Sequence, residues 1–315
     1  MKIAALFPGY GSQFVGMAKE LYDESRIVQE HFEQAASCLD INFVKMCFAS
    51  SDVELARMIN AYTSLFLVSS SIFDLLNEEG VEVDVVAGYD IGQYAALHAA
   101  GSLSLPDGLY LLSKFVSLYE ELLEKTDVAF LRVDGIPSER LERLCRKRSS
   151  KRKMVTISLY ISEGAHIIAG HPQSVEKVSK DVIDLEGTTE SIGPEYGLHS
   201  PLMESVATAL KMYMEKVDFK DAVAPILCNM DAQKIRMGSD LKSCVVSWIT
   251  KPVLWSSIVD KLQGYDLIVE VGPGTTLHDM LKDRYPDKKI ISVNTRADIE
   301  KLKTMLDLQV QSVEK

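Results

Sequence analysis

The 315-residue sequence predicts an α/β fold: a parallel sheet covered on both faces by helices, with a small ferredoxin-like unit inserted in it. Three observations predict it. Short β-branched runs alternate with helix-length amphipathic stretches, the pattern of strand–helix–strand crossovers. Two of those runs, at 3–7 and 83–88, end in glycine-bearing turns that pass directly into helical segments. From 128 to 196 the order becomes β-α-β-β-α-β over about 65 residues, a split βαβ unit. The expected division is a core from 1–127 and 197–315, with the small domain at 128–196.

Each element follows from local pattern. Ile3-Ala4-Ala5-Leu6-Phe7 is an apolar first strand that runs into Pro8-Gly9-Tyr10-Gly11-Ser12-Gln13. That turn's backbone N–H groups can face a ligand at the start of the next helix. It lacks the Gly-Lys-Ser/Thr of a P-loop. Residues 25–60 keep helical spacing, and 64–76 form a strongly apolar helix ending at Gly80, placed as a C-cap. Pro106 opens a helix from 105 to about 125. In the insert, strands are expected at 128–134, 155–161, 165–170 and 188–192, with helices at 137–148 and 172–185. Beyond it come a helix to about 216, a strand at 225–229, helices at 241–248 and after 251, and strands at 267–271 and 289–293. A glycine turn, 272–274, leads into a further helix.

Composition excludes several classes. Hydrophobic residues make up 47% and charged residues 25%, the values of an ordinary soluble domain. No apolar run reaches the ~20 residues that span a bilayer. The first residues meet Pro8-Gly9 before a signal-peptide core can develop. Cys38, Cys47, Cys145, Cys228 and Cys244 are scattered without a C-x-x-C pair. That fits a reducing cytoplasm and argues against a zinc cluster or a disulfide framework. A net charge of −11 disfavours nucleic acid as a partner. Within this acidic chain, Arg140, Arg143, Arg146, Lys147, Arg148, Lys151, Arg152 and Lys153 form a local basic cluster. It reads as a solvated helix end or as a docking patch for an acidic partner.

The stretch around Ala87-Gly88-Tyr89-Asp90-Ile91-Gly92-Gln93-Tyr94 has the layout of a nucleophile elbow, Gly-x-Ser-x-Gly. Glycines on both sides of the central residue let backbones cross closely and let that residue occupy a strained tip. The central residue here is Asp90 rather than serine. The same residues also fit an ordinary βα turn with two glycines.

Four landmarks in order resemble the malonyl-CoA:acyl-carrier-protein transacylase family. They are Phe7-Pro8-Gly9-Tyr10-Gly11-Ser12-Gln13, the elbow, Leu198-His199-Ser200-Pro201-Leu202-Met203, and Glu270-Val271-Gly272-Pro273-Gly274. With the insert between the second and third, the resemblance runs from Phe7 to about Val293. It implies an α/β-hydrolase-like core, ping-pong acyl transfer from a coenzyme A thioester to acyl carrier protein in fatty acid or polyketide synthesis, no cofactor or metal, and no nucleic-acid or membrane partner.

Carried over position by position, the resemblance places Asp90 at the nucleophile and His199 at the general base. The backbones of Tyr10 and Ile91 fall at the oxyanion donors. Phe115, beside Lys114, falls where an arginine would pair with the malonyl carboxylate. Tyr89 replaces a histidine, Trp248 a glutamine that would orient the base, and Leu159-Tyr160-Ile161 an Asn-x-Asn. Attack of a carboxylate on a thioester would give a mixed anhydride, which water opens readily. Next to His199 it would instead form an ion pair that weakens the imidazole as a base. The expectation is an acyltransferase fold without standard malonyl transfer, retained as a carrier-protein or acyl-thioester binding module. The competing readings are different chemistry at Asp90 and His199, in the manner of elbow aspartates that attack saturated carbon, and transfer from another serine such as Ser12, Ser102 or Ser200.

Overall fold

The computed structural model describes residues 1–313. Its strands, among the described residues, are β1 (Ile3–Phe7), β2 (Val85–Gly88), β3 (Ala129–Asp134), β4 (Val155–Tyr160), β5 (Ala165–Gly170), β6 (Thr188–Ile192), β7 (Ile226–Leu227), β8 (Lys234–Ile235), β9 (Leu267–Val271) and β10 (Lys289–Val293). They form a six-stranded sheet of order β10-β9-β1-β2-β7-β8 and a four-stranded sheet of order β4-β5-β3-β6.

The large sheet is parallel from β10 through β7. β1 and β9 are buried at every position, which is why they read as unbroken apolar runs rather than alternating ones. The edge departs from expectation. Only Ile226–Leu227 pairs of the run 225–229, and β8 adds antiparallel to it. A tight turn between the two, closed by Cys228 N–H donating to the Gln233 carbonyl and Ala232 N–H to the Cys228 carbonyl, ends the pairing early.

Helix Met58–Glu78 lies against helix Leu105–Lys125. A Cβ on Gly108 would strike the ring of Phe66, so the glycine sets how closely the two pack. Met58–Glu78 is long and apolar enough to cross a membrane, with 89% of its apolar window buried inside the fold. It is longer than the 64–76 stretch because buried Asn60, Ala61, Tyr62 and Thr63 extend it at the N-terminal end. Gly80 ends it with φ +81°, and Val81 N–H donates to the Leu76 carbonyl, the expected C-cap.

All pairs in the four-stranded sheet are antiparallel. Its side chains alternate between two cores, as strand geometry requires. Leu131, Val133 and Ile168 pack under helices Ser138–Arg148 and Pro172–Ile183. Phe130, Ile167 and Ala169 join the core of the large sheet. A backbone bridge ties the small sheet to the segment before helix Trp255–Lys261: Tyr160 N–H donates to the Val253 carbonyl and Val253 N–H to the Ser158 carbonyl, both at 2.9 Å.

One pair of the scattered cysteines meets in space. The sulfurs of Cys228 and Cys244 lie in contact, with their Cα atoms 7.0 Å apart, because the end of β7 meets helix Gly238–Thr250, a contact that spacing does not encode.

Candidate functional site

β2 brings the chain to the elbow, and the backbone turns there. Asp90 has φ +52°, in the left-handed region that aspartate tolerates better than most residues. A Cβ on Gly88 would collide with the backbone of Gly92 and Gln93, and one on Gly92 with the carbonyl oxygens of Phe7 and Pro8. Only glycine fits at either side. Helix Gln93–Ala99 then leaves the turn.

The first glycine turn lies against this tip. Tyr89 N–H donates to the Phe7 carbonyl at 2.9 Å. A Cβ on Gly9 would stand 3.5 Å from that of Asp90. Tyr10 and Ile91 are thereby brought to the same end of the sheet. The Tyr10 ring packs edge-on against Tyr62 and Tyr196, and burial pushes its phenol up to about 12.

Asp90 and His199 meet. Oδ1 of Asp90 is 2.7 Å from Nε2 of His199, and both residues are only 4% exposed. Nδ1 of His199 is 3.0 Å from the Trp248 carbonyl oxygen, and the Trp248 ring stacks on the imidazole at 5.7 Å. Trp248 therefore supports the histidine through its backbone, whatever its side chain. A carbonyl only accepts, so Nδ1 carries a proton. The hydrogen bond with Asp90 then engages Nε2, the position a free general base would use. Asn229 Nδ2 donates to the Asp90 carbonyl at 3.4 Å, and Gly197, φ +79°, lies directly over the pair.

Beside the pair stands a stack of aromatic rings. Phe115 lies between Tyr62, at 6.5 Å and 11°, and Tyr119, at 5.8 Å and 28°. The Tyr62 hydroxyl donates to the Glu195 carbonyl at 2.7 Å, and that of Tyr119 to the Pro194 carbonyl at 3.0 Å. Burial, and after it the Asp90 carboxylate, push both phenols well above their ordinary range. Phe115 is thus an apolar ring held between two tyrosines whose phenols feel the Asp90 carboxylate. Lys114 points elsewhere, over the rings of Tyr110 and Tyr213 at 5.6 Å.

Two other serines have separate occupations. Ser12 Oγ donates to Thr276 Oγ1 at 3.1 Å, and Ser200 Oγ accepts from Leu202 N–H at 3.3 Å. Ser102 is buried without a hydrogen-bond partner for its hydroxyl. The fourth landmark is a support. The buried Glu270 carboxylate accepts from Leu277 N–H, His278 N–H and Ser292 Oγ. It caps helix Thr276–Arg284, while burial raises its pKa. In the insert, Tyr160 donates its hydroxyl to Glu142 at 2.9 Å, and Leu159 and Ile161 join the main core.

In the basic cluster, Arg148 is committed to Asp181 through two hydrogen bonds at 2.5 and 2.6 Å. Arg140, Arg143, Arg146, Lys147, Lys151, Arg152 and Lys153 are exposed. The helix carrying the first four covers the outer face of the small sheet.

Sequence reasoning missed Asn229, Gly197, Tyr62 and Tyr119. Asn229, Tyr62 and Tyr119 act across a long separation in the chain and belong to no local motif, while Gly197 stands just before the third landmark.

The acyl transferase domain family matches residues 5–304. The chain is 30% identical over 303 residues to the malonyl CoA-acyl carrier protein transacylase of Bacillus subtilis strain 168, covering 95% of each chain. Among solved structures, the malonyl CoA-acyl carrier protein transacylase from Clostridium perfringens superposes with a TM-score of 0.92 at 22% identity and full coverage of both chains. A type II polyketide acyl-carrier protein in complex with its malonyl-transacylase matches with a TM-score of 0.89 at 23% identity, over 95% of this chain and 98% of that one. With a matched family spanning nearly all of its length, and a fold and landmark order to go with it, the chain belongs to the acyl transferase domain family.

Proposed function

We propose that this acyl transferase domain does not carry out standard malonyl transfer and serves instead to bind acyl carrier protein or an acyl thioester, in the cytoplasm. The observation that carries the reading is the buried contact of 2.7 Å between Asp90 and His199. A serine enzyme needs a hydroxyl nucleophile and an imidazole nitrogen free to take its proton. Here a carboxylate stands in place of the hydroxyl, and its hydrogen bond uses that nitrogen. A malonyl group would also meet like charge at Asp90 and an apolar ring at Phe115, with no guanidinium to pair its carboxylate. Carrier-protein binding rests on the family relation and on the solved complex of a related transacylase.

Two measurements test the proposal together. Incubation with radiolabelled malonyl-CoA is expected to leave no acid-stable acyl-enzyme. Carrier protein is expected to bind, more weakly at high salt because charge contacts are screened. Stoichiometric labelling would overturn the first half, and absence of carrier-protein binding at low salt the second.

One observation favours a second reading, chemistry of a different kind at the same two residues. Asp90 keeps the positive φ of an elbow tip and lies within reach of an imidazole. Turnover of a panel of esters and acyl thioesters, abolished in Asp90→Asn, would establish it.

A further inference from the structure

The sulfurs of Cys228 and Cys244 lie in contact, where the two elements that hold the Asp90–His199 pair meet. Cys228 directly precedes Asn229, whose side chain donates to the Asp90 carbonyl and whose own carbonyl accepts from Leu254 N–H at 2.7 Å. Cys244 lies one turn before Trp248 on the same face of helix Gly238–Thr250, and the Trp248 carbonyl holds Nδ1 of His199. One sulfur–sulfur contact, across a sequence separation of 16 residues, thus links the support of the carboxylate to the support of the imidazole. The remaining cysteines, Cys38, Cys47 and Cys145, are free.

We propose that Cys228 and Cys244 form a reversible thiol–disulfide clamp that sets how firmly His199 is held against Asp90. The reductant is a small or protein dithiol. Its thiolate attacks Sγ of Cys244, which at 7% exposure is more accessible than Cys228 at 1%. The S–S bond breaks and its electron pair leaves on Cys228 as thiolate. The second thiol of the reductant then attacks the mixed disulfide, releases Cys244 as thiolate and closes the oxidised reductant. Two protons from solvent complete the two cysteine thiols. With the clamp open, helix Gly238–Thr250 and the turn after β7 move independently, and the Trp248 carbonyl fixes the ring less tightly.

The full chain, with its histidine rings labelled with nitrogen-15, tests this in glutathione buffers of graded poise and after dithiothreitol. Oxidised protein digested with trypsin is expected to yield a cross-linked pair of peptides, 221–234 with 243–261. Reduction without unfolding is expected to separate them and to speed solvent exchange of the His199 Nδ1 proton about tenfold or more, the signature of a lowered local opening energy. The Cys228→Ser/Cys244→Ser variant is expected to show the fast exchange in every buffer. Absence of the cross-link under oxidising conditions overturns the proposal. So does a bond that opens only on global unfolding, or His199 exchange that is the same in both forms; the last outcome would make the bond a staple of stability alone. None of these readouts depends on acyl transfer or carrier-protein binding, so the clamp and the proposed function stand or fall separately.

Discussion

Replacing Asp90 by alanine removes one partner of a buried pair and leaves His199, 4% exposed, facing an empty site. Breaking such a pair from one side costs about 3–5 kcal/mol. Unfolding entropy of ~2.1 cal/mol/K per residue gives a chain of 315 residues about 0.7 kcal/mol/K, so Tm falls by about 5–8 °C. Asp90→Asn should behave differently. The ring already has its Nδ1 proton committed to the Trp248 carbonyl, so a neutral Nε2 can accept from the asparagine amide. One hydrogen bond replaces another, the cost is about 1 kcal/mol, and Tm moves by about 2 °C or less. Calorimetry on Asp90→Ala, Asp90→Asn, His199→Ala and the Asp90→Ala/His199→Ala double variant measures both costs and their coupling. A fall below about 2 °C for Asp90→Ala, or equal falls for alanine and asparagine, refutes the proton count at the pair.

Other expectations follow from the same geometry. Asp90→Ser alone is expected to stay unlabelled by malonyl-CoA while Phe115 remains, whereas Asp90→Ser/Phe115→Arg should gain acid-stable label in a filter assay. Phe115→Ala opens a void between the Tyr62 and Tyr119 rings and should cost about 3–5 kcal/mol in urea unfolding. Gly88→Ala forces a Cβ into the backbone of Gly92 and Gln93; a loss of at least about 3 kcal/mol is expected, read as reduced soluble yield and an early urea midpoint. Glu79 is held below its ordinary value by Lys303 and Arg296. Its contribution to stability is full above the ordinary carboxylate range and lost as pH falls through the lowered value. Urea midpoints from pH 6 down to about 3 should therefore fall less steeply for Glu79→Gln than for the parent.

The central sheet was legible because its strands are buried on both faces. 3–7 and 267–271 stand as apolar blocks, 289–293 is a half-exposed edge strand, and the boundaries of all three agree with the structure. The four-stranded sheet was legible from the order of its elements. Helix starts were less so. The helix after the first glycine turn begins only at Lys19, because Ala18 takes a left-handed φ of 60° that no sequence rule assigns to alanine. The one expected from Lys251 begins at Trp255, because Val253 is taken by the bridge to β4. At the site, Asp90 and His199 were found from motif spacing, and the structure puts them 2.7 Å apart. What supports them was harder to read. Trp248 stood at the position that orients the base, but it acts through its backbone carbonyl, which leaves little mark on residue type, and Asn229 reaches Asp90 across 139 positions of the chain.

The bend at the tip of the elbow has one more consequence. Serine enters left-handed backbone conformations with more difficulty than aspartate, whose short polar side chain can bond locally. The exchange at position 90 therefore relaxes the chain at the very point where a hydroxyl would have to be poised. Putting the hydroxyl back raises the local torsional energy and removes the imidazole's anchor in one stroke. The poise of a hydroxyl and the anchoring of the imidazole at this corner draw on the same few atoms.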